Sequence, residues 1–303
     1  MKDKKKHTSL GVLLAFLGTF LFAFKSIFIK LAYAEGLNSE TVLMLRMAIA
    51  LPIYLSILGY LYFSKRDAMK NLNKKIVVRI IGLGAIGYFL ASALDLKGLE
   101  YISAGLERLT LFTNPIFVAL LGALFFSTPL TKRIIVVLIT SYLGLWLMFK
   151  QEVLLGSNNS DTIRGIILVL CAALSYSFYM LFGKKTISEV GSVLFTAIAM
   201  SVSSVFALVL YFLLFDISKI VISPKAWLWM FLLAIVSTVF PSFLISAAIH
   251  RISPLQTSVV GMLSPVITII LAVLILSEPF GIYQFLGIGL VVFGVAVLNF
   301  KRK

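Results

Sequence analysis

Long apolar stretches separated by short polar breaks run the whole length of the chain. They fall at about 10–34, 40–63, 76–97, 103–126, 131–149, 163–185, 190–215, 225–249, 255–277 and 281–300. At about 1.5 Å of rise per residue, a helix needs roughly 20 apolar residues to cross a bilayer, and each stretch approaches or exceeds that. A transmembrane barrel would instead show strands of ~10 residues that alternate in polarity. The pattern predicts an all-α integral membrane protein with ten transmembrane helices.

The pattern also repeats. Ile102 to Pro129 reads ISAGLERLTLFTNPIFVALLGALFFSTP, and 150 residues later Ile252 to Pro279 reads ISPLQTSVVGMLSPVITIILAVLILSEP. Ile102, Ser103, Pro115, Ser127 and Pro129 meet Ile252, Ser253, Pro265, Ser277 and Pro279 without a gap, and Gly144 meets Gly294. Shared prolines and glycines weigh more than shared leucines, because they fix backbone geometry. Two five-helix repeats follow, residues 1–150 and 163–303, joined by a polar linker at 151–162. Basic residues set their orientation: the N-terminal lysines, Lys65 to Lys75, Lys132, Arg133, Lys184, Lys185 and the C-terminal KRK share one side. The other side carries only Lys97, Lys150, Arg164, Lys219 and Lys225. Both termini are therefore expected in the cytoplasm. Five is an odd number of crossings, so the second repeat is expected to be inverted, the arrangement by which secondary transporters build a midplane site.

Composition narrows the function. The chain is 60% hydrophobic and 13% charged, far from the roughly 25% charged balance of soluble domains. Its net charge of +15 lies in loops between spans, where it reports topology rather than nucleic-acid binding. The single cysteine, Cys171, allows no internal disulfide. With only His7 and His250, and with no HExxH, GxSxG or GxxxxGK[ST], the chain lacks the chemistry of a metalloprotease, a serine hydrolase or a self-powered ATPase. No enzyme activity, cofactor or metal is expected.

The two halves of five spans, the lysines that close FKSIFIK at Lys30 and SFYMLFGK at Lys184, and the terminal SEPFGIYQFLGIGLVVFGVAVL resemble the drug/metabolite transporter superfamily in its EamA-type branch. The resemblance implies a multi-pass inner-membrane carrier of small metabolites such as amino acids, commonly an exporter. Thr128 departs from the Ser-Glu-Pro pattern that the second half keeps at Glu278.

Candidate pathway residues come from polarity inside the spans. Lys25, Lys30, Arg46, Asp95, Glu107 and Arg108 are ionisable groups in apolar surroundings, all in the first half. Asp95 and Glu107 are expected to pair with Arg46, Arg108 or Lys25, as a structural network, a gate or a proton-coupling site. Helical spacing aligns Tyr88, Ser92 and Asp95 in one stripe, and Glu107, Thr110 and Asn114 in another, with Arg108 about 100° away from it. Thr238, Ser242 and Ser246 align in the eighth span, Gly261, Ser264 and Thr268 in the ninth, and the sixth adds Tyr176 and Tyr179. Pro115 and Pro265 are hinge candidates. The expected function is alternating-access transport, in the direction of export, of a small polar, carboxylate-bearing or zwitterionic metabolite, with proton coupling open. A lipid-linked substrate flippase, a multidrug efflux carrier and a non-transporting membrane scaffold are the alternatives. Expected partners are the substrate and membrane lipids, not nucleic acid, and the chain is a monomer or a homodimer.

Overall fold

The computed structural model describes residues 2–64, 69, 72–126, 159–216, 222–261 and 263–299, with scattered residues between 132 and 150. The described residues are helical or in short connections. Seven helices among them are long and apolar enough to cross a membrane: Thr8–Ala34, Ser39–Ser64, Lys74–Leu99, Ala104–Phe126, Ser160–Val190, Ser192–Leu214 and Pro224–Arg251. Where ninth and tenth spans are expected, the structure has the short helices Pro254–Gly261 and Ser264–Leu276 and the helix Ile282–Asn299, none of them among those seven. The fifth span, 131–149, lies largely outside the described residues, as does most of the linker; residues 159–162 already belong to the helix of the sixth span.

Several spans are interrupted, and the interruptions obey the repeat. The first span is α1 (Lys2–Ala23) and α2 (Lys25–Ala34), the second α3 (Ser39–Ser64). The third joins α4 (Lys74–Gly84) through a π-helical segment, Ala85–Leu90, to α5 (Ala91–Leu99), and the fourth is α6 (Ala104–Leu111) and α7 (Asn114–Phe126). The sixth and seventh are α8 (Asn159–Val190) and α9 (Ser192–Leu214). The eighth joins α10 (Pro224–Ala234) through a second π segment, Ile235–Val239, to α11 (Phe240–Arg251), and the ninth is α12 (Pro254–Gly261) and α13 (Ser264–Leu276), before α14 (Ile282–Asn299). Adding 150 to the bounds of α4, α6 and α7 gives those of α10, α12 and α13, and Ala85 plus 150 is Ile235, where the second π segment starts. The caps repeat too: Asn73 accepts from the Ile76 amide at 2.9 Å, and Ser223 from the Ala226 amide at 3.0 Å, each satisfying one of the unpaired donors of a helix start.

These interruptions leave backbone groups that hydrocarbon cannot satisfy, and hydroxyls supply partners. Ser175 on α8 donates to the Ile86 carbonyl at 2.6 Å, and Thr238 to the Leu233 carbonyl at 2.8 Å. Glycine permits the contact of the third span with its neighbours. A Cβ at Gly84 would lie 2.5 Å from the Ala199 carbonyl oxygen, and one at Gly87 would lie 2.1 Å from the Tyr179 Cβ. Around these contacts Tyr54, Tyr179 and Phe195 form part of a fully buried cluster.

The two halves are tied at the end of the bundle that carries Leu99. Glu278, between α13 and α14, accepts the Ala104 and Gly105 amides at 2.9 and 3.3 Å, a carboxylate at the positive end of α6. At the same end Glu35 takes a hydrogen bond from the Ser223 hydroxyl at 2.8 Å and an ion pair from Lys225 at 3.3 Å, which hold its carboxyl below the usual range. Burial pushes Glu100 upward, but Lys97 at 2.8 Å and the Ser39 amide at 2.8 Å overcome it and hold that carboxyl low. At the opposite end the Lys184 ammonium donates to the carbonyls of Ile249, His250 and Ile252, where the negative end of α11 lies.

Candidate functional site

The site is assembled around the break in the first span. Phe24 separates α1 from α2, and carbonyls of that turn are met from other helices: Thr268 donates to Ala23 at 2.8 Å and Ser237 to Leu21 at 3.0 Å. Lys25 and Ser26 follow the break and point inward, 4% and 0% exposed in a stretch otherwise suited to lipid. Leaving a lone charge in hydrocarbon costs on the order of 2.5–3.5 kcal/mol on insertion scales, so Lys25 needs a partner, and the buried Ser26 hydroxyl needs a hydrogen bond.

The partners come from the third and fourth spans. Lys25 forms an ion pair with Asp95. The Ser26 hydroxyl donates to Glu107 Oε2 at 2.5 Å and accepts from the Arg108 guanidinium at 2.6 Å, and Arg108 Nε stands 3.7 Å from Glu107 Oε2. The single hydroxyl thus joins a neighbouring anion and cation on α6. Both cations also face the Phe22 ring, Lys25 at 5.2 Å and Arg108 at 5.5 Å from its centroid. Arg46 on α3 is buried as well, and its Nε has no hydrogen-bond partner. Three buried cations thus stand with two carboxylates, a surplus of one positive charge.

Beside this cluster lies a cavity of about 130 Å³. A single water needs only about 10–15 Å³ on such a measure, so the space suits a small solute. Helices of both halves line it: Phe22, Lys25, Tyr88, Ser92, Asp95 and Arg108 from the first, Tyr176, Thr257, Ser258 and Ser264 from the second, with Pro115 and Pro265 both present. The charged lining groups, Lys25, Asp95 and Arg108, all come from the first half. Arg108 is one turn from the Ala104 start of α6, at the Leu99 end of the bundle. Thr257 and Ser258 are one turn from the Pro254 start of α12, which follows Arg251 at the opposite end. One end of the cavity is therefore ionic and the other carries hydroxyls.

Of the residues singled out in the sequence, the structure brings Lys25, Tyr88, Ser92, Asp95, Arg108, Asn114, Tyr176 and Ser264 to the cavity wall. Others stand behind it. Glu107 is fully buried against Ser26, Thr110 donates to the Leu106 carbonyl at 2.8 Å, and Arg46 is buried without lining the cavity. Tyr179 is 3.2 Å from the Ser246 hydroxyl, and Ser242 is 3.1 Å from the Tyr54 hydroxyl, so both link helices instead of lining the cavity. Arg108, not Glu107 or Thr110, turns into the space together with Asn114. The single-helix phase that grouped Glu107, Thr110 and Asn114 does not survive the break at Phe112 and Thr113, which re-aims α7 relative to α6.

Sequence reasoning passed over Thr19, Phe22, Ser26, Thr257 and Ser258. Two signals were available. Thr257 and Ser258 occupy the positions 150 residues after Glu107 and Arg108, and Thr19, Phe22 and Ser26 follow i, i+3, i+7 spacing on the face that includes the intramembrane lysine.

Comparison with known proteins agrees with this architecture. The model of the EamA-like transporter family matches residues 9–150 and again residues 163–300. The uncharacterized transporter YcbK of Bacillus subtilis (strain 168) is 27% identical, across 99% of this chain and 96% of its own length. The uncharacterized transporter sll1319 of Synechocystis sp. (strain ATCC 27184 / PCC 6803 / Kazusa) is 24% identical, across 97% and 94%. A solved crystal structure superposes with a TM-score of 0.70 over 95% of this chain and 97% of its own, at 16% identity, a likeness of fold.

Proposed function

The chain belongs to the EamA-like transporter family, a multi-pass membrane transporter, and on that footing we propose that it exports small zwitterionic or carboxylate-bearing metabolites by alternating access. In this reading ten helices cross the inner membrane, the second five-helix repeat is inverted relative to the first, and both termini are cytoplasmic. The observation that carries it is the cavity between the halves, ionic at one end and hydroxyl-bearing at the other. A non-transporting scaffold would pack its polar stripes against one another, and the open space beside Arg108, Asn114 and Ser264 favours a carrier instead.

The surplus cation favours a substrate that brings a carboxylate. Lys25 is committed to Asp95, and Glu107 and Ser26 hold the Arg108 side chain from behind, which leaves its guanidinium to meet an anion from the cavity. Pro115 and Pro265, at the starts of α7 and α13, are the hinges about which the cavity would open to either side. Asp95 and Glu107 are the groups on which a proton gradient would act. The test is counterflow of labelled amino acids and organic acids in proteoliposomes, with and without a proton gradient. Flux of any of these supports the reading, and no flux of any of them rejects it.

A further inference from the structure

The two proline breaks have a chemical consequence besides bending. Proline has no N–H, so the carbonyls four residues earlier, of Leu111 and Gly261, lose the donors that a continuous helix would give them. Leu111 and Gly261 both line the cavity, at positions related by the repeat. Their neighbours add further acceptors. Asn114 spends its two amide hydrogens on the Ala173 carbonyl at 3.3 Å and the Ser177 hydroxyl at 2.8 Å, so what it has left for the cavity is its carbonyl oxygen. Ser264 is 7% exposed, lines the cavity, and its hydroxyl has no partner. Buried acceptors left unmade are costly, and such groups at a cavity wall mark where a donor from a ligand belongs.

The charge balance decides which donor. The cluster already carries one positive charge too many, so a lone alkali ion would be repelled. A zwitterion brings its own carboxylate for Arg108, which lies three residues, about one turn, before Leu111. Asp95, the carboxylate among the described lining residues, already has its charge offset by Lys25 through Oδ2; its Oδ1 is a further unpartnered acceptor beside the cavity. We propose that the paired proline breaks form an ammonium subsite, in which the carbonyls of Leu111 and Gly261, with the oxygens of Asn114 and Ser264, receive the ammonium of a zwitterionic substrate whose carboxylate faces Arg108. This rests on the transport reading and sharpens it, because it requires both charges on one solute.

The test measures binding to the purified full-length protein of leucine, 4-methylpentanoate (the same skeleton without the ammonium) and 3-methylbutylamine (without the carboxylate). Intrinsic tryptophan fluorescence is the readout, in choline chloride and in sodium chloride of equal strength. The intact protein prefers leucine over 4-methylpentanoate by about tenfold, the gain expected for hydrogen bonds from one charged group. In Pro265→Ala, which restores the N–H that reaches the Gly261 carbonyl, the ratio falls toward one; Ser264→Ala, a milder change, lowers it in the same direction. An equal affinity for both compounds in the intact protein, or a ratio that both variants keep, overturns the subsite while leucine flux still upholds the transporter. A fluorescence change with sodium alone that Ser264→Ala removes assigns the oxygens to an alkali ion and overturns the ammonium assignment. Absence of both binding and flux rejects the transport reading, and the subsite with it.

Discussion

The third and fourth spans and their counterparts, the eighth and ninth, share a backbone and differ in charge. Both pairs carry a π segment followed by a helix broken before a proline, with bounds that coincide after a shift of 150 residues. At the charged positions they diverge: Asp95, Glu107 and Arg108 in the first copy stand where the second has Ile245, Thr257 and Ser258. At the two positions that match Glu107 and Arg108 the second copy needs no ion pair, because those hydroxyls satisfy themselves on their own helix. Thr257 donates to the Ser253 carbonyl at 3.0 Å and Ser258 to the Leu255 carbonyl at 2.9 Å. The first copy's charges cannot do that, so they bind its spans to one another and to the break at Phe24. Backbone geometry common to both copies builds the chamber, and side chains of one copy give it polarity.

The largest expected effect tests whether the ionic end is held by pairing. Asp95→Leu leaves Lys25 buried and unpaired and should destabilise the protein by about 3–5 kcal/mol, whereas Lys25→Met with Asp95→Leu should recover most of the loss. Unfolding in mixed micelles measures both, and a double variant as unstable as the single one would count against a pair. Next comes transport. Arg108→Lys loses the guanidinium hydrogen bond to Ser26 and the planar fork offered to an anion, and should lower kcat/KM by an amount equivalent to about 1.5–3 kcal/mol, while Ser258→Ala should change it by about 0.5 kcal/mol or less. Equal effects would erase the distinction between the halves. The glycine contacts come third: Gly87→Ala places a methyl group against Tyr179 and should cost about 1–3 kcal/mol in the same unfolding assay. Gly289→Ala, with nothing within 4 Å, should leave unfolding unchanged.

The smallest effect concerns acid. Glu35 and Glu100 are held below their ordinary value of 4.5, so the stability they contribute is present above that value and is lost as pH falls through their lowered folded values. Amide exchange at Ser39 and Thr41, beside the Glu100 contact, taken relative to the intrinsic rate at each pH, should therefore accelerate below about pH 4.5 and not between pH 6 and 8. Acceleration in the neutral range would point to another group.

Much of the fold was legible, because apolar length, basic loops and repeated prolines are properties of single positions. The ion-pair inventory was legible in part: opposite signs at Lys25 and Asp95 made them candidates, but nothing in the spacing named Ser26 as the bridge between Glu107 and Arg108. A serine next to an intramembrane lysine looks like any serine that bonds its own helix. The Glu278 clasp was hidden for a related reason, since its partners are the Ala104 and Gly105 amides, backbone groups that every residue except proline carries.

The sequence by itself determined a membrane-spanning helical chain, two copies of one plan, and a cluster of ionisable groups deep in the spans of the first copy. Those conclusions rest on transfer free energy and on residues whose backbone effects are local. Only the tertiary structure decided which polar groups meet in the cavity. A helix advances about 100° per residue, so one π segment or one pre-proline break resets the facing of every residue beyond it. Arg108 therefore faces the chamber, while Glu107 beside it is sealed against Ser26.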